Sequence, residues 1–375
     1  MSKYDIAAFI WPSYTGDEPR TRIFWPEGYG EWQTVKAMTN KGYKGCRWPR
    51  IPTWGYVNEA DSRVMEMQID CAVSYGVNVF IYDWYWYDNR PFLENCLNDG
   101  FLKARNNKDM KFYLMWANHN ANHLWDKRNS DRDLSTVIWS GVVTPEIFSV
   151  ICDRTIEKYF KRDNYYQIDG CPVYMIFDLD NFVRSFENTE ECKKALDMFR
   201  KKTIEAGFNG LHFQVVHWSG RTYGWLNEGD VNKGADCFEL YRYLGVDSLT
   251  SYNWGCSANL DGDYVELTDK YIKNISMDTK KTEIEFYPNI SVGWDNNVRF
   301  NDFIPGVVVN NTPDNFRSAC EKIKMLTDDS VKNESLRVPL ITVNSWNEWT
   351  ETSYLQPDDL FGYGYLEALK NVFFE

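Results

Sequence analysis

Short apolar runs alternate along the chain with longer stretches of helical spacing. Eight runs read as strands from their length, β-branched content and polar boundaries: 6–11, 77–83, 112–117, 172–177, 211–217, 246–252, 285–293 and 339–346. Between several of them the period changes. Val64, Met67, Cys71 and Tyr75 recur at three and four residues, with Gly76 as a stop. Thr144-Pro145 supplies a cap and a first-turn proline before Ile147, Ile151 and Tyr159. Thr189 opens a segment with Cys192, Leu196, Phe199 and Ile204, closed by Gly207, and Thr312-Pro313 repeats the start signal ahead of Phe316, Cys320, Ile323 and Leu326. Eight strands interleaved with helices predict an α/β fold, a single (β/α)8 TIM-type barrel over 1–375 with elaborated loops at its C-terminal face. A doubly wound open sheet would want a Gly-rich phosphate turn after the first strand, and Pro-Ser-Tyr-Thr-Gly-Asp after Trp11 does not supply one.

In a barrel, the residues just past the strands converge on one cavity. Here they are Trp11, Tyr14 and Asp17; the run from Tyr82 through Asp83, Trp84 and Trp86 to Asp88; Trp116, Asn118 and His119; Asp178; His217 and Trp218; Tyr252, Asn253 and Trp254; Trp294 and Asp295; and Trp346, Asn347, Glu348, Trp349 and Glu351. Every loop opens on an aromatic, an acid or both. Tyr82, Trp84 and Trp86 alternate and can equally be core, and Asp178 can equally cap the segment after it. Glu31 and Trp32 follow Gly28 and Gly30 in a loop suited to gripping a ligand from above, or to packing on the barrel.

The most informative of these loops is the last. It sets Glu348 and Glu351 between Trp346 and Trp349 just beyond a buried strand. Glycosidic-bond chemistry needs one carboxyl to protonate the leaving oxygen, another to act as base or nucleophile, and aromatic faces to hold the sugar. A zinc centre fits poorly. His119 and His123 have the spacing of a helical pair, but the asparagines around them disfavour a helix and no His-Glu-x-x-His occurs. Gly28, Gly30, Gly42 and Gly45 form no phosphate fingerprint. No metal or other cofactor is expected.

Composition narrows the partners. Net charge is −13 and the pI about 5.0, which disfavours nucleic acid and anionic membrane surfaces. Nine dispersed cysteines without a Cys-x-x-Cys pair read as free thiols in a reducing compartment. With no secretory h-region and no run long enough to span a bilayer, the chain reads as soluble and cytoplasmic; one trimmed of an export signal would read the same and be periplasmic. A monomer is expected. Aromatics reach 17%, which suits a large core or a sugar-stacking surface.

With these residues laid out, the chain resembles the glycosyltransferase WbsX / glycoside hydrolase family 99-like group. The likeness rests on Ala8-Phe-Ile-Trp-Pro12, Trp25-Pro-Glu-Gly-Tyr-Gly-Glu-Trp32, Tyr82-Asp-Trp-Tyr-Trp86, Trp116-Ala-Asn118, Trp294-Asp-Asn296, Asn344-Ser-Trp-Asn-Glu-Trp-Thr-Glu351 and Gly362-Tyr-Gly-Tyr-Leu-Glu-Ala368. The resemblance implies a (β/α)8 barrel acting on an oligosaccharide or polysaccharide. The hydrolase branch consists of retaining endo-acting α-mannosidases, and the WbsX name implies glycosyl transfer as the alternative; a non-catalytic glycan-binding barrel is a third reading. In the mannosidases, the equivalent of Glu348 acts as base on the substrate's own 2-hydroxyl, and that of Glu351 as acid and then base. Thr350 and Thr352 stand where those enzymes carry other neighbours, so the mechanism is expected to carry over more readily than the sugar. Tyr14, Glu31, Trp32, Asp83, Trp84, Trp86, Trp116, Asn118, His217, Tyr252, Asn253, Trp294, Asp295, Trp346, Asn347 and Trp349 are the expected substrate contacts.

Overall fold

The computed structural model describes residues 3–16, 18–38, 48, 50–128 and 134–374; Asp17, Gly42, Gly45 and Cys46 lie outside them. Among these residues nine parallel strand segments form the barrel: β1 Asp5–Ile10, β2 Val79–Tyr87, β3 Lys111–Trp116, β4 Cys171–Ile176, β5 His212–Val216, β6 Ser248–Thr250, β7 Glu285–Tyr287, β8 Asn289–Ser291 and β9 Leu340–Asn344. Their order around the ring is β7, β6, β5, β4, β3, β2, β1, β9, β8. The run expected as one strand over 285–293 is therefore two, broken at Pro288. Its first half pairs with β6 and its second with β9, which carries the ring around. Proline has no N–H for the ladder, and its carbonyl accepts instead from Thr342 N at 3.0 Å. β2 runs four residues past its expected end because the short strand Arg90–Phe92 folds back on Tyr85–Tyr87.

Helices α1 Trp32–Lys36, α2 Ser62–Ser74, α3 Pro145–Thr155, α4 Leu179–Val183, α5 Thr189–Glu205, α6 Cys237–Leu244, α7 Tyr264–Thr279, α8 Pro313–Lys332 and α9 Gly364–Phe373 lie along the connections. Between β2 and β3, only short turns at Cys96–Gly100, Phe101–Lys103 and Asn107–Asp109 take the helix's place. Thr144 and Thr312 cap α3 and α8 as their Thr-Pro signals predict, each hydroxyl accepting a backbone N–H at 3.3 Å. α5 is capped one residue earlier than expected, by Asn188, while the Thr189 hydroxyl donates to Asp230. α2 forms where its periodicity puts it but buries a different face. Met65, Gln68, Ile69 and Ala72 point inward and Met67 outward, because the buried side includes a polar residue that hydrophobic spacing cannot detect.

Inside the barrel the strands meet in a polar layer. Tyr113 donates to Gln214 at 3.1 Å, Gln214 to Ser248 at 3.1 Å and Asn289 to Thr342 at 3.0 Å, while the Thr250 and Thr342 hydroxyls lie 2.9 Å apart. Buried polar groups persist when they satisfy one another. Eight described cysteines carry free thiols. Among the described residues no helix is long and apolar enough to cross a membrane.

Candidate active site

Past β9 the chain makes a compact strap. Asn347–Glu348 pairs antiparallel with Ser353–Tyr354, and a 3-10 turn at Trp349–Glu351 joins them. Glu348 leads into this turn and Glu351 ends it, and both side chains reach the same guanidinium. Thr352 closes the turn in the left-handed region at φ 55°, strained for a β-branched residue; its hydroxyl is anchored on the Asp295 carbonyl at 2.9 Å.

One guanidinium meets both carboxylates. Arg299 ends the short turn Asn296–Arg299, which Asp295 starts by accepting Asn297 N at 3.0 Å. Its Nη2 lies 3.0 Å from Glu348 Oε1, its Nη1 2.8 Å from Glu351 Oε1 and its Nε 3.4 Å from Glu31 Oε1. Glu348 Oε1 also accepts from Thr350 Oγ1 at 3.0 Å. Glu31 is held in turn by the Trp11 indole N–H and by Ser13. Two carboxyl oxygens of this cluster, Glu351 Oε2 and Asp83 Oδ1, are buried with no hydrogen-bond partner among the described residues. The other oxygen of Asp83 accepts from Tyr252 at 3.2 Å.

These groups surround a cavity of about 110 Å³ at the C-terminal mouth of the barrel. Trp11, Tyr85, Trp125, Phe177 and Tyr252 are its aromatic walls; Asp83, His119, Arg299, Glu348 and Glu351 supply its polar edges. Burial, and next the Glu351 charge, push the Glu348 carboxyl well above its ordinary range. Burial raises Glu351 too, with Arg299 opposing. Asp83 rises strongly by burial, against the pull of Tyr252. Burial works against a charged Arg299, but Glu31, Glu351 and Glu348 outweigh it and hold the cation firmly. Burial lowers His119, which sits in the wall as a neutral imidazole. Glu348 and Glu351, crowded around one cation, cannot both ionise at ordinary cost, so they give up their protons at higher pH than free carboxyls do. Among the described residues no group of three or more His, Cys, Asp or Glu is arranged to hold a metal ion.

A family model described as Glycosyltransferase WbsX matches residues 6–369. The chain belongs to the WbsX family. It is 21% identical over 371 residues to the protein named "Uncharacterized protein WxcX" in two strains of Xanthomonas campestris pv. campestris. That match covers 98% of this chain and 49% of the relative, so the chain spans about half the length of the curated relatives it matches. Among solved structures, a glycoside hydrolase-like protein superposes with TM-score 0.59 at 14% identity, covering 100% of this chain and 94% of the other. The glycoside hydrolase family 99 endo-α-mannosidase of Bacteroides thetaiotaomicron superposes with TM-score 0.54 at 12% identity, covering 98% and 95%. At such identities the likeness establishes the barrel fold.

Of the expected contacts of this WbsX-family chain, Asp83, Tyr252, Glu348 and Glu351 line the cavity, and Glu31 stands behind Arg299. Others face elsewhere, for reasons of strand parity. Trp84 and Trp86 alternate with Asp83 and Tyr85 and point out of the barrel, where the Trp84 indole donates to Glu94 at 2.8 Å. Trp116 packs outward on Phe148 and Phe182. His217 lies between α6 and α7, 3.2 Å from the Tyr241 hydroxyl and 3.1 Å from Asp278. Asn118 clamps both backbone groups of Asp178, at 2.7 and 2.8 Å, and Asn253 caps its own turn at Gly255 N. Asp178 caps α4.

Tyr14, Trp32, Trp346, Asn347 and Trp349 are buried as the packing beneath and around the strap. Tyr14 lies 4.1 Å from Trp32 and its hydroxyl accepts Trp349 N at 3.2 Å, while Trp349 stacks on Tyr354 at 3.7 Å. Asp295 accepts from the Trp48 indole at 3.1 Å, and Trp294 is half-buried against the core. The loop carrying Glu31 and Trp32 thus packs on the barrel with its tryptophan away from the cavity. Sequence reasoning missed Arg299, Tyr85, Trp125 and Phe177. Tyr85 was within reach, since it shares a strand face with Asp83. Arg299 carries no local signal beyond being a cation in a loop that also holds strand-end acids.

Proposed function

We propose that this barrel is a single catalytic domain, a retaining glycoside hydrolase acting on an internal linkage of an oligosaccharide or polysaccharide. One observation carries the reading. Glu348 and Glu351 sit side by side on one guanidinium, both line an aromatic-walled cavity, and one Glu351 oxygen is buried with no partner among the described residues. That oxygen can give a proton to a glycosidic oxygen, and the walls suit the apolar face of a sugar ring. Burial and the Glu351 charge favour a proton on Glu348, so the productive state, with Glu351 protonated and Glu348 ionised, is the less favoured placement of a proton within the pair. Glu348 then takes the proton of the substrate's 2-hydroxyl as that oxygen attacks the anomeric carbon. The bond to the leaving oxygen breaks as Glu351 protonates it. Water opens the resulting anhydro sugar, Glu351 taking its proton and Glu348 returning the first one to the 2-oxygen. Back-side attack requires the 2-hydroxyl and leaving group on opposite ring faces, so the substrate is a 1,2-trans glycoside such as an α-mannoside or α-rhamnoside. The structural neighbour named as an endo-α-mannosidase makes α-mannosides the first class to try.

The WbsX family name favours a second reading, transfer from a nucleotide sugar. Such a donor needs a cation for its diphosphate. Among the described residues, the one guanidinium lining this cavity is engaged by three carboxylates, which supports hydrolysis instead. The test is a panel of 1,2-trans oligosaccharides and nucleotide sugars. Cleavage of a panel glycan by the wild type, lost in Glu351→Gln with binding retained, is expected. Nucleotide-sugar binding with no glycan cleaved, or full activity in Glu351→Gln, would overturn the reading.

A further inference from the structure

On the far side of the strap from the cavity lies another fully buried glutamate, Glu59, which the chemistry above does not use. Its Oε1 accepts from Gln356 Nε2 at 2.9 Å and from Gln68 Nε2 at 3.1 Å, and its Oε2 from Asn347 Nδ2 at 2.8 Å. Each of those amides is locked in orientation by a second bond. Gln356 Oε1 accepts the Trp349 indole at 2.7 Å, and Gln68 Oε1 the Trp346 indole at 2.8 Å. Asn347 accepts Trp11 N at 2.8 Å and donates to Trp11 O at 2.9 Å. None can flip without breaking a buried bond, so every amide presents a donor to Glu59. Cys96 approaches at 4.0 Å as a further weak donor. The backbone is fixed as well. Glu59 N donates to Tyr14 O at 2.8 Å, and a Cβ at Gly100 would lie 2.1 Å from the Glu59 carbonyl oxygen.

We propose that Glu59 is the positioning residue of the strap, holding Trp346, Asn347 and Trp349, and with them Glu348, in place, and that it does so only as a carboxylate. The inference rests on Glu348 being catalytic for its functional consequence, though not for its geometry. A protonated Glu59, or a glutamine, must aim a hydrogen at one of the locked amides and lose that bond. Among the described residues, the groups facing it are Gln68 from α2, Tyr82 from β2, Cys96 from the turn after β2, Tyr14 from the loop after β1, and Asn347 and Gln356 from the strap. None of these is charged near neutral pH. Burial therefore dominates over the three amide bonds and brings the Glu59 carboxyl up to about 7. The two consequences have opposite sign. As pH falls through about 7 the strap loses an acceptor, whereas the contribution of Glu59 to global stability rises, because the folded state binds the proton more readily than the unfolded chain.

Fluorine NMR of the full chain labelled with 5-fluorotryptophan reads this without a substrate, the two strap signals being assigned by Trp346→Phe and Trp349→Phe. In the Glu348→Gln/Glu351→Gln double variant, which removes the cavity carboxyls from the titration, both signals should move together with a midpoint near 7. Adding Glu59→Gln should abolish that titration. On a glycan that the wild type cleaves, Glu59→Gln alone should lower kcat on the order of 10²-fold with KM little changed. Strap signals that stay fixed across the range, or that titrate equally with Glu59→Gln present, would overturn the proposal. If Glu59→Gln does not fold, the titration of the double variant decides. Finding no cleaved glycan would remove the proposed hydrolase and leave the role of Glu59 to be decided by the fluorine titration.

Discussion

Behind the strap, Glu59 accepts from three amides whose own orientations are fixed, and both of its oxygens have partners. In front of it, Glu348, Glu351 and Glu31 share one guanidinium, while Glu351 Oε2 and Asp83 Oδ1 find no partner among the described residues. Both regions bury carboxyls, and adjacent strap residues reach one each: Asn347 the back, Glu348 the front. The difference is in what surrounds them. A satisfied buried carboxylate gives rigidity, since moving any member costs a hydrogen bond. An under-satisfied one leaves a hydrogen-bonding position open for something that arrives. The strap joins the two kinds, a satisfied back and an under-satisfied front.

The sharpest way to break the contrast is to remove the front's cation. Arg299→Met leaves buried carboxyls without a counter-charge and should lower stability by about 3–5 kcal/mol by urea unfolding, with the deficit growing as pH rises and the carboxyls ionise. A loss under about 1 kcal/mol would mean the cluster is solvated rather than buried. Trp32→Ala comes next. The ring packs on Tyr14 and Trp349 and donates to Val57 O at 2.8 Å, so we expect about 3 kcal/mol or more of lost stability. Weakened glycan binding at unchanged stability would instead put that ring in the cavity. Asp83→Asn gives the smallest effect and the cleanest sign. The Asp83 carboxyl is raised, so its contribution to stability is complete below its ordinary value of 3.8 and fades as pH rises. Thermal melts should show Asn within about 1 kcal/mol of wild type at low pH and gaining on it steadily above. A parallel pair of melting curves would show that Asp83 ionises freely.

Much of this architecture was legible in the chain. The strands fall within a few residues of their apolar runs, two Thr-Pro caps start the helices they predict, and the carboxyl pair follows the last strand. What escaped has physical causes. Listing the aromatics that follow each strand ignores parity, so Trp84, Trp116 and His217, which face the helices, stood beside Asp83 and Tyr252, which face the cavity. Arg299 arrives from a loop whose path no periodicity specifies. Gln68 and Glu59 are polar residues in the interior, invisible to a hydrophobic pattern until the indoles and amides they bind are seen beside them.

The central claim is that the front of the strap cleaves a glycosidic bond through the Glu348 and Glu351 pair. Proton NMR of the first product released from a cleaved panel glycan tests it most directly, because two successive displacements preserve the anomeric configuration. The new reducing end should first appear with the anomeric configuration of the substrate and mutarotate afterwards. An initial product of inverted configuration would contradict the claim, showing that a single displacement by water occurs at this site.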